Sequence, residues 1–171
     1  HCKIDDREPY PILSFPKETF HSEYMDISIL GSGPSASIIR RSVFENLGGF
    51  SGRRFLGDQE LWLRVARIYP VLMLQPSLIW YRTHPDQEIV KESKNFQIRI
   101  DRFNLKYGFL TELNEIFNEI EIKTAKKIQI KQYFLMILKL IVLHRSFREA
   151  FFMLKKLPFS LLDLKIILFR K

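Results

Sequence analysis

The chain has 171 residues, 46% of them hydrophobic and 27% charged, with 15 Phe. That content excludes a disordered chain or a linker, which could not bury enough apolar surface to offset its conformational entropy. The single Cys, Cys2, excludes an internal disulfide framework and a cysteine-based zinc site. The net charge of +8 is uneven: residues 1–86 balance at zero, 87–122 carry −2, and 123–171 hold 12 basic against 2 acidic residues. A neutral body therefore precedes a basic tail.

Residues 1–30 read as a loop-rich lead-in with Pro9, Pro11 and Pro16, and Tyr24–Leu30 as a short strand. Gly31-Ser-Gly-Pro34 reads as a turn, and Ser35–Arg41 as a strand carrying Ile38 and Ile39. Ser42 and Glu45 have the spacing of a capping box. The short helix they open is stopped by Gly48-Gly49, and Phe50 plugs the return. Asp58 opens the next helix. Its stripes, Leu61/Val65/Ile68 and Trp62/Ala66/Tyr69, adjoin to form one apolar face, with Arg64 and Arg67 outside it and Pro70 ending the helix.

Val71–Leu74 and Leu78–Tyr81 read as strands around Pro76. Asp86 is expected to cap a helix from about Gln87 to Tyr107, with Phe96, Ile100, Phe103 and Tyr107 as its stripe and Gly108 as its end. Thr111 and Thr124 read as further caps, Ser146 with Glu149 as another capping box, and Pro158 as the break between the last two helical pieces. The division predicted is 1–30, 31–87 and an all-helical extension over 88–171. The longest nearly apolar stretch, Tyr133–Leu143, has 11 residues and contains Lys139. A spanning helix needs about 20.

The chemistry is concentrated between Gly33 and Gln87. Three segments stand there in order: Ser35-Ala-Ser-Ile-Ile-Arg-Arg-Ser-Val-Phe-Glu-Asn-Leu-Gly-Gly-Phe50, Gly57-Asp-Gln-Glu-Leu-Trp-Leu-Arg-Val-Ala66 and Trp80-Tyr-Arg-Thr-His-Pro-Asp-Gln87. Residue by residue, each position also has a plain structural reading. Asp58 suits a helix N-cap, worth about 1 kcal/mol. Glu60 suits the positive end of a helix. Trp62 lies in the apolar stripe, where core packing is the favoured reading. Arg82 and His84 fit a polar strand end, and one of Arg40 and Arg41 should alternate outward.

Taken together and in this order, the three segments resemble the acceptor-side half of family 2 glycosyltransferases, the inverting GT-A enzymes. The resemblance covers about residues 25–87. It implies an α/β fold, a partial GT-A domain of the nucleotide-diphospho-sugar transferase type. It also implies a non-processive transfer from a nucleotide-sugar donor to a glycan or lipid-linked acceptor, in polysaccharide or glycoconjugate synthesis. Asp58 matches the family's general base, which takes the acceptor hydroxyl's proton as that oxygen attacks the anomeric carbon.

On the same resemblance Glu60 and Trp62 would bind the acceptor, Arg82 and Arg41 the diphosphate, and His84 a divalent metal, Mg or Mn. Gly57 departs from the family's usual acidic residue before the Asp. The Asp-x-Asp metal motif and the Gln-x-x-Arg-Trp motif of processive synthases do not occur. The expectation is therefore a portion of a longer enzyme, inactive without a donor-binding half, and cytoplasmic.

Residues 123–171 suit either a helical hairpin with a solvated lysine face or amphipathic helices on an anionic inner-membrane surface. Nucleic acid is not expected as a partner, because no single-strand-binding motif accompanies the charge. The competing reading of the whole chain is a non-enzymatic helical interaction or membrane-surface module.

Overall fold

Residues 9–75, 78–80, 82 and 96–156 are described in a computed structural model, which divides into two units, His1–Val90 and Lys91–Lys171. The first unit opens with strand β1 (Ile12–Ser14) and helix α1 (Pro16–Met25). Pro16 at the first helical position lacks an N–H that no helix could use there. The carboxylate of Glu18 accepts the N–H of Phe15 at 3.0 Å. The described part of the expected lead-in is thus structured, and Tyr24 lies in the last turn of a helix instead of starting a strand. Thr19, Phe20, Glu23 and Tyr24 are the buried positions, a helical spacing, with the Phe20 and Tyr24 rings stacked at 6.1 Å.

Next come a 3₁₀ turn (Pro34–Ala36), helix α2 (Arg41–Asn46), helix α3 (Gly57–Ile68) and strand β2 (Val71–Met73). Two further expected strands are absent among the described residues. Ser35–Arg41 forms the 3₁₀ turn and an extended lead into α2, with Ile38 97% exposed. Residues 78–80 are also not in a strand, and Tyr81 lies outside the described residues. Alternation marks a strand only where another strand can take up its hydrogen bonds. The observed sheet pairs β1 antiparallel with β2, in the register Ile12 to Met73, Leu13 to Leu72 and Ser14 to Val71.

Helix α2 starts one residue before the expected capping box. Arg40 is its N-cap, and Glu45 accepts from Arg41 at 2.7 Å instead of reaching back to the cap. The stop at Gly48-Gly49 is as read: both glycines have left-handed φ, 74° and 62°. Helix α1 packs against α3. On α3, Leu61, Trp62, Leu63 and Ala66 are buried, whereas Ile68 is largely exposed. The apolar face is therefore centred earlier on the helix than the sequence stripes implied.

The described elements of the second unit are all helical. Helix α4 (Phe96–Phe109) continues into a 3₁₀ turn (Leu110–Glu112), followed by helices α5 (Glu119–Val142) and α6 (Phe147–Lys155). The expected helix start at Asp86–Gln87 and the break at Pro158 lie outside the described residues. Gly108 does not end α4, and the Thr111 hydroxyl donates back to its carbonyl at 2.7 Å.

The α5 cap is not Thr124, which sits inside the helix and donates to the Ile120 carbonyl at 2.8 Å. Asn118 is the cap: its side chain accepts the Glu121 N–H at 2.9 Å, and Glu121 accepts the Asn118 N–H at 2.8 Å. Ser146 does precede α6, but its hydroxyl donates to the His144 carbonyl and makes no capping bond. The core joins Ile100 and Phe103 of α4, Ile130, Tyr133, Ile137 and Leu140 of α5, and Ala150 and Met153 of α6. Phe103 lies 5.4 Å from Tyr107 and 4.5 Å from Tyr133, ring centroid to centroid. Each large apolar side chain buried here contributes about 1.5–3 kcal/mol.

Candidate functional site

The candidate residues gather at the start of α3. Its N-cap is Leu56 and its first residue Gly57, so Asp58 stands inside the first turn instead of capping it. Asp58 and Glu60 both lie at the positive end of the helix, half-buried. Asp58 Oδ1 accepts the N–H of Gln59 at 2.8 Å. Among the described residues no donor reaches Oδ2.

Glu60 is held from the preceding loop. The Ser51 hydroxyl donates to Glu60 Oε2, and the Arg53 N–H points at the same hydroxyl at 3.5 Å. Ser51 has no signature in sequence periodicity, because loop residues show none. A side chain at position 57 would also face Ser51: a Cβ there would lie 3.9 Å from its hydroxyl, an ordinary contact.

Trp62 is 9% exposed, with its indole N–H donating to the Ser32 carbonyl at 2.8 Å. Its ring meets Phe50 edge-on at 6.4 Å, and Phe50 meets Phe44 edge-on at 5.3 Å. Trp62 thus packs as the core residue its stripe implied, joining the 31–34 turn and the Gly-Gly-Phe turn to α3. Stacking on a sugar would require that ring to be uncovered.

Arg64 departs from expectation most clearly. The sequence stripes leave it outside the apolar face, yet its guanidinium turns inward. Nη1 donates to the Leu47 carbonyl and Nη2 to the Gly49 carbonyl, the latter at 2.7 Å. These carbonyls are left over where α2 ends, and a guanidinium can satisfy two at once. Two polar atoms nearby on α3, Gln59 Oε1 and Arg64 Nε, are buried without a partner among the described residues. Just before the helix, Phe55 has φ 67°, a costly backbone for a bulky residue, and the Arg54 guanidinium lies 4.8 Å from its ring centroid.

Of the expected diphosphate residues, Arg41 is engaged elsewhere. Arg41 is exposed and ion-paired with Glu45, a pair worth a few tenths of a kcal/mol on a helix surface. Arg82 is exposed, and His84 lies outside the described residues. Among the described residues, no three His, Cys, Asp or Glu side chains converge to hold a metal ion. No helix among the described residues is long and apolar enough to cross a membrane. Comparison with known proteins found no matching family model, curated protein or solved structure.

Proposed function

We propose that residues 31–87 serve as the acceptor side of a non-processive, inverting sugar transfer from a nucleotide-sugar to a glycan or lipid-linked hydroxyl. The observation that carries this reading is Asp58. It is a half-buried carboxylate in the first turn of α3, with one oxygen held by the backbone and the other without a donor among the described residues. It stands between segments whose order resembles that of family 2 enzymes.

In the proposed step the acceptor oxygen attacks the anomeric carbon while Asp58 Oδ2 takes its proton. The bond from that carbon to the diphosphate breaks, and the diphosphate leaves with the electron pair. Glu60, oriented by Ser51, accepts a second acceptor hydroxyl. Arg64 and Trp62 hold the two turns that flank this helix end. The reading assigns this chain the acceptor side alone, because Asp-x-Asp does not occur in it.

The test is nucleotide-sugar turnover by the complete reading frame that contains this chain. Asp58→Asn keeps an oxygen for the Gln59 N–H and removes the base. It should lower turnover by about 10²- to 10⁴-fold with the unfolding midpoint preserved. Full turnover in that variant removes Asp58 as base. No consumption of any common nucleotide-sugar by the wild type removes the reading as a whole.

A further inference from the structure

The tip of the α5–α6 hairpin has a composition that the transferase reading does not use. Three large apolar side chains crowd into six residues there and remain mostly exposed: Val142 at 70%, Leu143 at 69% and Phe147 at 65%. The pattern continues back along α5, where Leu135 and Leu138 are also exposed. With Val142 they recur every three or four residues, on the side of the helix opposite the buried Ile130, Tyr133, Ile137 and Leu140. A helix that is apolar on two sides is ordinarily enclosed. On α6, Phe151 and Phe152 are exposed as well.

The charges around these residues are predominantly positive. From Lys123 to Lys156 the sequence has nine basic residues and one acidic residue, Glu149. Arg145 and Arg148 are interleaved with the tip apolar residues, and Lys139 lies one turn before Leu143. The ammonium groups of Lys155 and Lys156 lie 4.7 and 5.9 Å from the ring centroids of Phe151 and Phe152. Arg145 occupies the left-handed backbone region at φ 51°, where Gly would be the less strained residue. The turn is closed by the Ser146 N–H donating to the Leu140 carbonyl at 3.0 Å.

We propose that this tip is a docking surface for an anionic phospholipid bilayer. Val142, Leu143 and Phe147 would enter the headgroup–acyl boundary, and Arg145, Arg148 and Lys139 would meet lipid phosphates. Apolar residues at the boundary with cations beside them suit a membrane interface. A protein partner would be expected to bring acidic groups into fixed pairs, whereas an anionic surface satisfies scattered cations without a register. The inference is independent of the transferase reading, since it uses none of the α3 residues.

Co-sedimentation of the whole chain tests it. Two vesicle preparations are used: phosphatidylcholine alone, and equal parts phosphatidylcholine and phosphatidylglycerol. Binding is expected to the anionic vesicles only, and to fall in about 1 M salt, where the Debye length is about 3 Å. Phe147→Ser should weaken partitioning about tenfold or more. Arg145→Gly relaxes the strained backbone while deleting one charge, so it should weaken partitioning about fivefold without lowering the unfolding midpoint.

Equal binding to both vesicles, no binding, or full binding by Phe147→Ser overturns the proposal. So does light scattering that finds a dimer which Phe147→Ser converts to monomer, since a second copy of the chain would then cover the tip.

Discussion

Replacing Gly49 by Ala should damage the first unit more than the same change at Gly48, although the two are neighbours. Both have left-handed φ, 62° and 74°, so both substitutions carry the backbone penalty of about 1–2 kcal/mol. They differ in what the new methyl meets. At position 48 no atom lies within 4 Å, whereas at 49 the Cβ would sit 2.9 Å from both Cε1 and Cζ of Phe44. That approach forces the ring aside, and the ring is in edge contact with Phe50, which is itself in edge contact with Trp62. Overpacking of this kind costs about 1–3 kcal/mol more.

Gly49→Ala should therefore destabilise by about 2–5 kcal/mol and Gly48→Ala by about 1–2 kcal/mol. Urea unfolding followed by tryptophan fluorescence and by far-UV circular dichroism reads both. In a Phe44→Ala background the ring contribution disappears, so the excess at 49 should vanish, giving a coupling of about 1–3 kcal/mol. Equal costs at 48 and 49, or an excess that survives removal of the ring, would refute the reasoning.

Two more outcomes follow from the second unit. Burial pushes the Tyr133 phenol up from 10.0 to about 12. Folding is then fully favoured by this group below pH 10, and the advantage is lost as pH rises from 10 towards 12, because the unfolded phenol ionises first. The loss is at most about 3 kcal/mol. Tyr133→Phe should flatten this alkaline limb at a neutral-pH cost within about 1 kcal/mol, since its bond to the Met153 carbonyl is long at 3.3 Å. Parallel stability curves for the two proteins would contradict the assignment. At the helix starts, Asn118→Ala should cost about 1 kcal/mol, whereas Ser146→Ala, which removes no capping bond, should fall within about 0.5 kcal/mol in chemical unfolding.

Much of the second unit was legible because its order is local. Ile100 and Phe103 fell on the expected stripe of α4 and are buried, with Phe96 and Tyr107 packed beside them. The cap of α5 was misplaced for an equally local reason. Thr124 and Asn118 are both plausible caps by residue type, and only the reciprocal bonds with Glu121 select Asn118. In the first unit the expected strands failed at Tyr24–Leu30 and Ser35–Arg41. Short apolar runs do not distinguish a strand from a helix end or an extended loop. Glu23 shows what was hidden. Its carboxylate is buried and accepts the Ser28 hydroxyl and the N–H groups of Ile29 and Leu30 at 2.9–3.0 Å.

At the candidate site the sequence by itself determined that Asp58 and Glu60 would share the first turn of a helix, and that Gly48-Gly49 would end the one before it. Both follow from backbone preferences that extend over only a few residues. Tertiary structure alone decided that Arg64 turns inward to two carbonyls 17 and 15 residues away, and that Trp62 reaches the Ser32 carbonyl 30 residues away. Periodicity records whether a face is apolar. It carries no information about which distant carbonyl a guanidinium or an indole will satisfy, because that depends on where the chain returns. The basic tail divides in the same way. Its charge and the closeness of Val142, Leu143 and Phe147 to Arg145 were plain in the sequence, but only the fold decided that these three apolar side chains stay exposed at the hairpin tip.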